Sequence, residues 1–131
     1  MNSENEKLIA LAKEALKYSY SPYSDFAVGA ALITDSGKMY TGCNIENSSY
    51  GATNCAERTA VFKAVSEGEK KIKKIAIVSS SGQKTPPCGI CRQVLSEFMS
   101  ISEGKIILED DGKPVEYKLA DFLPMHFSLK K

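Results

Sequence analysis

Apolar residues recur at three- and four-residue intervals near the start of the chain, and this spacing predicts an amphipathic helix. Ser3 can cap that helix, which we expect to extend to about Ser19. A loop rich in serine and proline follows at residues 19–24. The apolar face of the helix is formed by Leu8, Leu11, Ala12 and Ala15.

The next part of the chain has the pattern of a β-hairpin followed by a second helix. The apolar run at residues 26–34 predicts a buried strand, and turn residues after it predict that residues 38–43 return beside it. Residues 44–54 are polar and should form a loop. A helix should then cover residues 55–66 and end with Gly68 as its C-cap.

Strand and helix patterns continue to alternate in the second half. We expect a strand at residues 72–79, a loop at residues 82–87 because it holds two prolines, and a helix at residues 88–99. Further elements are expected at residues 105–108 (strand), 115–118 (strand, after a turn at 110–112) and 119–123 (one helical turn). Such alternation predicts an α/β fold, a three-layer α/β/α sandwich around a mixed five-stranded sheet. We expect residues 1–131 to form one domain.

Composition limits the functions that the chain can have. Its 131 residues include 17 basic and 16 acidic side chains, so neither a nucleic-acid partner nor a membrane partner is expected. The polar N-terminal sequence does not resemble a signal peptide, and no apolar run is long enough to span a bilayer. We therefore expect a cytoplasmic protein, in which four reduced cysteines favour metal binding over disulfides.

Three of those cysteines and one glutamate lie in two short blocks. Cys55 stands two residues before Glu57, and Cys88 and Cys91 follow a proline at the predicted start of the third helix. Helix N-termini favour the thiolate, which is the form of cysteine that binds metal. Three thiolates can hold one zinc ion per chain and leave a fourth position for water, whose protons Glu57 could move. The pattern indicates an enzyme that activates water.

Several of these residues also have simpler interpretations. Cys88 and Cys91 alone could form a redox pair or a zinc module without catalytic activity. Arg58 could donate to the ligand sulfurs and offset their negative charge, or it could be a solvated helix residue. Cys43, at a strand end, is expected to be a buried free thiol, and His126 to have a surface or packing role.

Four ordered motifs together resemble the cytidine deaminase family, in its small homotetrameric branch with three cysteine ligands. They are SPYSDFAVGAA at residues 21–31, NIEN at 44–47, CAERTA at 55–60 and PCGICRQVL at 87–95. The family signature has the form H-x-E…P-C-x-x-C, and this chain has cysteine in place of its histidine. The resemblance spans nearly the whole chain, and four ordered motifs at compatible spacing are far more specific than any one of them.

The resemblance implies a role for each matching residue. Cys55, Cys88 and Cys91 would hold zinc, and Glu57 would shuttle protons. The remaining roles would be ribose binding by Asn44 and Glu46, ring packing by Phe26, and completion of a neighbouring subunit's site by Phe127. A chain this short has few loops to close a pocket, so we also expect Tyr50 at a subunit boundary. Phe26 could equally be a core strand residue, and both Tyr50 and Phe127 could pack within their own subunit.

The implied reaction is hydrolytic deamination of the nucleosides cytidine and 2′-deoxycytidine to their uridine counterparts and ammonia, in pyrimidine salvage. The resemblance also implies a homotetramer. A deaminase of a cytosine nucleoside antibiotic such as blasticidin S is the alternative within this fold, although Asn44 and Glu46 together favour an ordinary ribose. A deaminase that edits polynucleotides is disfavoured because the chain has no basic stripe.

Overall fold

One five-stranded mixed sheet runs through the middle of the computed structural model, which describes residues 3–129. Its strands are β1 (Val28–Thr34), β2 (Met39–Cys43), β3 (Ile72–Ser79), β4 (Lys105–Asp110) and β5 (Lys113–Lys118). They lie in the order β2-β1-β3-β4-β5, and β3 and β4 are parallel while the other neighbouring pairs are antiparallel. The outermost two residues at each end of the predicted domain lie outside the described part.

Three helices cover the two faces of this sheet. They are α1 (Ser3–Leu16), α2 (Ala56–Ser66) and α3 (Gly89–Phe98). Strand residues alternate between the two faces, so Ala76 and Val78 pack with α1, whereas Ile75 and Ile77 belong to the core beneath α2 and α3. This is the predicted three-layer sandwich. Among residues 3–129, no helix has both the length and the apolar composition that crossing a bilayer requires.

The structure corrects several predicted boundaries. The first helix ends at Leu16 and not near Ser19, because the amides of residues 17–19 bond to carbonyls three residues back, which tightens the chain into a turn. Ser3 lies within the helix and does not precede it. The last hairpin is longer than predicted, since Asp111 and Gly112 adopt positive φ angles of 52° and 83° and form the turn by themselves.

Two elements near the predicted site residues differ from prediction. The first strand begins at Val28, two residues later than predicted, which leaves Phe26 in the preceding loop. The loop at residues 44–54 contains a short 3-10 turn at Tyr50–Ala52, and Ile45 forms one isolated bridge to Tyr20 outside the loop and one to Asn54 at its other end. The loop is therefore fixed in place and can contribute a wall to a site.

Gly42 allows α2 to lie directly against β2. A Cβ atom at this position would be 2.5 Å from the amide nitrogen of Ala60 and 2.7 Å from the carbonyl oxygen of Ala56, both in the backbone of α2. Backbone atoms cannot rotate away, so any side chain here must displace the helix. The close approach fixes the position of α2 on the sheet.

We therefore expect Gly42→Ala to destabilise the protein by about 1–3 kcal/mol, the usual cost of overpacking. Urea unfolding measures the effect. Gly51→Ala is the control, because a Cβ there meets no atom within 4 Å. Equal stability of the two variants would contradict the close-packing argument.

Candidate active site

Two helix N-termini bring the three cysteines together on one face of the sheet. Cys55 is the N-cap of α2, and Cys88 is the N-cap of α3, where its sulfur accepts a hydrogen bond from the Cys91 amide at 3.4 Å. The Cys55 and Cys88 sulfurs are 3.7 Å apart, and those of Cys88 and Cys91 are 3.3 Å apart. All three sulfurs lie within 4.8 Å of one another.

These sulfur positions fit a zinc ion. Tetrahedral zinc with Zn–S bonds of about 2.3 Å places its ligand sulfurs about 3.8 Å apart. Within residues 3–129 the cluster contains three cysteines and no further cysteine, histidine or carboxylate. Three protein ligands are the number typical of a catalytic zinc site, whereas structural sites use four.

The protonation of the cysteines also fits a metal site. A hydrogen bond from the Cys91 thiol, together with the Arg58 guanidinium, lowers the pKa of Cys55 to about 5. The pKa of Cys91 is raised, because its thiol donates that hydrogen bond to Cys55 and is buried. Metal binding requires deprotonated thiols, so a divalent cation would favour release of the Cys91 proton.

Arg58 lies beside the first of these sulfurs. Its Nη2 atom is 3.4 Å from Cys55 Sγ and 3.5 Å from the Thr53 carbonyl oxygen, while its buried Nε has no hydrogen-bond partner. The side chain is thus directed into the cluster and is not a solvated helix residue. Its positive charge opposes the negative charge that three thiolates would bring to the site.

Replacing Arg58 by methionine should weaken zinc binding by ~10- to 100-fold, the range typical of partners behind the metal ligands. Methionine keeps much of the side-chain volume and removes the charge and the donors. Competition with a chromophoric chelator measures the affinity. Lys63→Met, on the same helix, is the control, and an Arg58 variant with unchanged affinity would contradict a role for this charge.

Glu57 is the buried acid of the site. It lies in the first turn of α2 and is only 5% exposed. Burial raises the pKa of its carboxyl to about 7, and the neighbouring Cys55 thiolate contributes to the increase. A carboxyl group that ionises near neutral pH suits proton transfer in both directions.

A cavity of about 290 Å³ opens above the sulfurs and Glu57. Phe26 forms part of its wall with 39% of its surface exposed, and Asn44 and Glu46 contribute polar atoms. Six wall residues were not predicted, namely Ser24, Val28, Thr53, Ala56, Thr85 and Pro86. Among these residues, Pro86 is the one that the sequence could have indicated, because it adds a second proline directly before Pro87 and Cys88.

The polar groups of Asn44 are largely engaged within the chain. Its Oδ1 atom accepts hydrogen bonds from the Val28 amide at 2.9 Å and from the Ser19 hydroxyl, and its Nδ2 atom donates to the Phe26 carbonyl at 2.8 Å. One amide hydrogen remains for a ligand. Asn44 therefore also positions Phe26 in the cavity wall.

Glu46 is held as an ionised acceptor. Its carboxylate accepts from the Ser24 hydroxyl and from the amides of Tyr23 at 2.9 Å and Ser24 at 3.2 Å. The Ser24 hydroxyl is the main reason that the pKa of Glu46 is lowered. A carboxylate has about four acceptor positions, so a ligand hydroxyl can still bind.

Four other residues whose roles were predicted from the sequence lie away from the sulfur cluster. Tyr50 is 79% exposed and borders an adjoining cavity that also includes Glu46. Phe127 is 64% exposed, and Gln93 Nε2 donates to its carbonyl at 2.9 Å. Neither aromatic lines its own chain's cavity above the cysteines. Cys43 is a free thiol as expected, although it is half-buried and not fully buried as predicted, and His126 is exposed.

The fold and the site define a zinc-binding deaminase. The family of the cytidine and deoxycytidylate deaminase zinc-binding region matches residues 2–107, and this chain belongs to that family. The chain is 50% identical over 123 residues to a cytidine deaminase of Sporosarcina psychrophila, with 94% of this chain and 90% of the relative covered. A cytidine deaminase of Halalkalibacterium halodurans is 44% identical over 126 residues, with 95% of each covered.

Solved structures agree with this assignment. The crystal structure of cytidine deaminase from Burkholderia pseudomallei superposes with a TM-score of 0.87 at 42% identity, covering 93% of this chain and 98% of the other. The structure of cytidine deaminase from Mycobacterium tuberculosis gives a TM-score of 0.82 at 43% identity, covering 95% and 97%. The predicted family and fold class are confirmed.

Proposed function

We propose that this chain is a zinc-dependent hydrolase that converts cytidine and 2′-deoxycytidine to uridine and 2′-deoxyuridine with release of ammonia. The observation that carries the proposal is a cluster of three cysteine sulfurs, two of which, those of Cys55 and Cys88, line one cavity together with the buried Glu57. This arrangement combines a metal site with an open position and a group that can move protons.

The metal ligands would be Cys55, Cys88 and Cys91. Zinc held by these sulfurs would supply an activated water as the nucleophile at neutral pH. The side chains around the cluster determine the charge at the metal, and Arg58 donates toward Cys55 Sγ from the first turn of α2.

Glu57 would perform the proton transfers. Its carboxylate takes a proton from the attacking water and delivers one to ring atom N3, which makes C4 more electrophilic. After hydroxide has added at C4, Glu57 takes the proton of the new C4 hydroxyl group and delivers it to the amino group, so that the C4–N bond breaks, the C4 carbonyl forms and neutral ammonia leaves. Burial of Glu57 keeps bulk water from competing for these protons.

The nucleoside would bind with its pyrimidine ring beside Phe26 and its ribose toward Glu46 and Asn44. Phe26 offers a flat apolar surface at the cavity wall. Glu46 is ionised and can accept a ribose hydroxyl, and the free amide hydrogen of Asn44 can donate to one. These two groups favour a simple nucleoside over a cytosine antibiotic such as blasticidin S.

A deamination assay with free cytidine, run together with measurement of zinc content, tests the proposal. We expect turnover in proportion to bound zinc, with blasticidin S converted poorly. A non-catalytic zinc or redox module would bind metal or form a Cys88–Cys91 disulfide and release no ammonia. That outcome would overturn the proposed reaction.

The proposal extends to assembly as a homotetramer whose cavities are completed across subunit boundaries. The cavity in one chain is open, and Tyr50 and Phe127 expose most of their side chains without lining it. An aromatic group from a partner would close the cavity and exclude water, as the chemistry requires. Closed symmetric assembly is common among oligomers of one chain.

Light scattering determines the oligomeric state, and Phe127→Ala tests the shared site. We expect that variant to retain zinc and to have a raised KM for cytidine. Leu129→Ala, an exposed apolar residue of the same tail, is the control. A monomer with full activity at low concentration would contradict shared sites.

We also propose that the chain works as one catalytic domain in the cytoplasm, in pyrimidine salvage. All four cysteines are free thiols, and zinc ligation requires that Cys55, Cys88 and Cys91 remain reduced. Fractionation with a zinc and activity assay on each fraction would test the location.

A further inference from the structure

Arg92 joins the loop before α3 to the C-terminal segment. It lies in the first turn of α3, and its Nε atom donates to the Pro87 carbonyl at 2.8 Å. Its Nη1 atom donates to the Phe122 carbonyl at 3.1 Å. The guanidinium also lies over the Phe122 ring, 5.3 Å from the ring centre. One side chain thus holds two segments that are 35 residues apart.

The Pro87 carbonyl needs a partner from outside the helix. Pro87 is buried and precedes the N-cap, so its carbonyl lies outside the hydrogen-bond ladder of α3, which begins with the Cys88 carbonyl accepting from the Arg92 amide. A buried carbonyl without a donor is costly. Arg92 Nε supplies the donor and fixes the peptide that joins Pro87 to Cys88.

Cys88 is the ligand that most needs this support. Cys91 is buried and Cys55 is half-buried, whereas Cys88 is exposed, so packing confines its sulfur least. The same loop supplies Thr85 and Pro86 to the cavity wall. Rotation of the Pro87–Cys88 peptide would therefore move both a zinc ligand and part of the wall.

The far end of this contact is braced by the sheet. The Phe122 ring packs edge-on against Tyr117 of β5, with centres 5.4 Å apart. Lys84, near the start of the same loop, lies over the Tyr117 ring at 5.5 Å. The two aromatic rings therefore hold the loop at both of its ends, through Lys84 and through Arg92.

We propose that Arg92 is a positioning residue for the zinc ligand Cys88: it fixes the Pro87–Cys88 peptide by bracing it against Phe122. A planar guanidinium can donate to two carbonyls at once, whereas the ammonium of lysine at this distance can serve one of them. The inference rests on the proposed zinc site. It adds a residue that touches neither metal nor substrate.

The test compares the rate of zinc release from the loaded protein to a chromophoric chelator. We expect Arg92→Ala to release zinc ~10- to 100-fold faster, and Arg92→Lys to fall between that variant and the unaltered chain. When zinc is kept in excess, Arg92→Ala should have a raised KM for cytidine, because the Thr85–Pro86 wall is displaced. A purely structural role would lower thermal stability without changing zinc release.

Gln93→Ala is the matched control. Gln93 is the next residue of α3 and bonds to the tail at Phe127, but not to the loop before Cys88. Its loss should leave zinc release unchanged. If Arg92→Ala releases zinc no faster than Gln93→Ala, the inference is wrong.

A second variant keeps the test decisive if Arg92→Ala does not fold. Phe122→Leu retains the carbonyl and removes the ring, so we expect an intermediate increase in zinc release. Unchanged release in a folded Phe122→Leu protein would then overturn the bracing role. Failure of the proposed function is recognised separately, since it would appear as an unaltered chain that binds no zinc or does not deaminate cytidine.

Discussion

Glu57→Gln should lose nearly all deaminase activity while keeping its fold and its zinc. Removal of a general acid–base typically costs ~10²- to 10⁴-fold, and one residue that serves several proton transfers should lie at the upper end. Glutamine has almost the same shape as glutamate, so the buried position can accept it. Its amide cannot take a proton from water or deliver one to N3. The measurement is kcat/KM for cytidine at full zinc loading.

Glu46→Gln is the control for this substitution, because it removes a second carboxylate from the same cavity. Glu46 lies on the proposed ribose side, where it accepts hydrogen bonds from Tyr23 and Ser24. We therefore expect it to raise KM and to leave kcat largely intact. Near-normal kcat in Glu57→Gln would show that another group moves the protons.

Cys88→Ala should lose its zinc, and its activity with it. The two remaining sulfurs should bind zinc much more weakly than three. The affinity for zinc should therefore fall by more than the ~10- to 100-fold that is typical when a residue bonded to a ligand is removed. Metal analysis after dialysis against a weak chelator gives the zinc content per chain. Cys43→Ala is the control, because Cys43 is a free thiol outside the cluster. Full zinc retention by Cys88→Ala would remove Cys88 from the ligand set.

Much of the fold could be predicted because local pattern and burial agree. The strand predicted at residues 72–79 is β3, which is almost wholly buried and is bounded by polar residues. Helix ends were harder to place, because they depend on single hydrogen bonds. Cys55 and Cys88 were expected to open helices and instead cap them, one residue outside. The prediction of a helix start beside each sulfur was nonetheless confirmed.

Some residues of the candidate site could likewise be predicted from the sequence, and others could not. Its sulfurs and Glu57 could be identified because their chemistry is unusual and each block is short. Thr53 and Thr85 could not, since hydroxyls occur throughout the chain and only folding brings these two to one cavity. Arg92 and Phe122 are 30 residues apart in the sequence, and their contact depends on the path that the chain takes after β5. No pattern in the local sequence predicts such a contact.

The separation of the two cysteine blocks has a consequence for the lifetime of the protein. Cys55 and Cys88 are 33 residues apart, so an ion bound to both acts as a cross-link between α2 and α3. A ligand that binds only the folded chain at 1,000 times its Kd adds about 4 kcal/mol to the free energy of unfolding. Loss of zinc would therefore expose the chain to unfolding and proteolysis. Zinc supply would set the number of intact molecules in the cell as well as the activity of each.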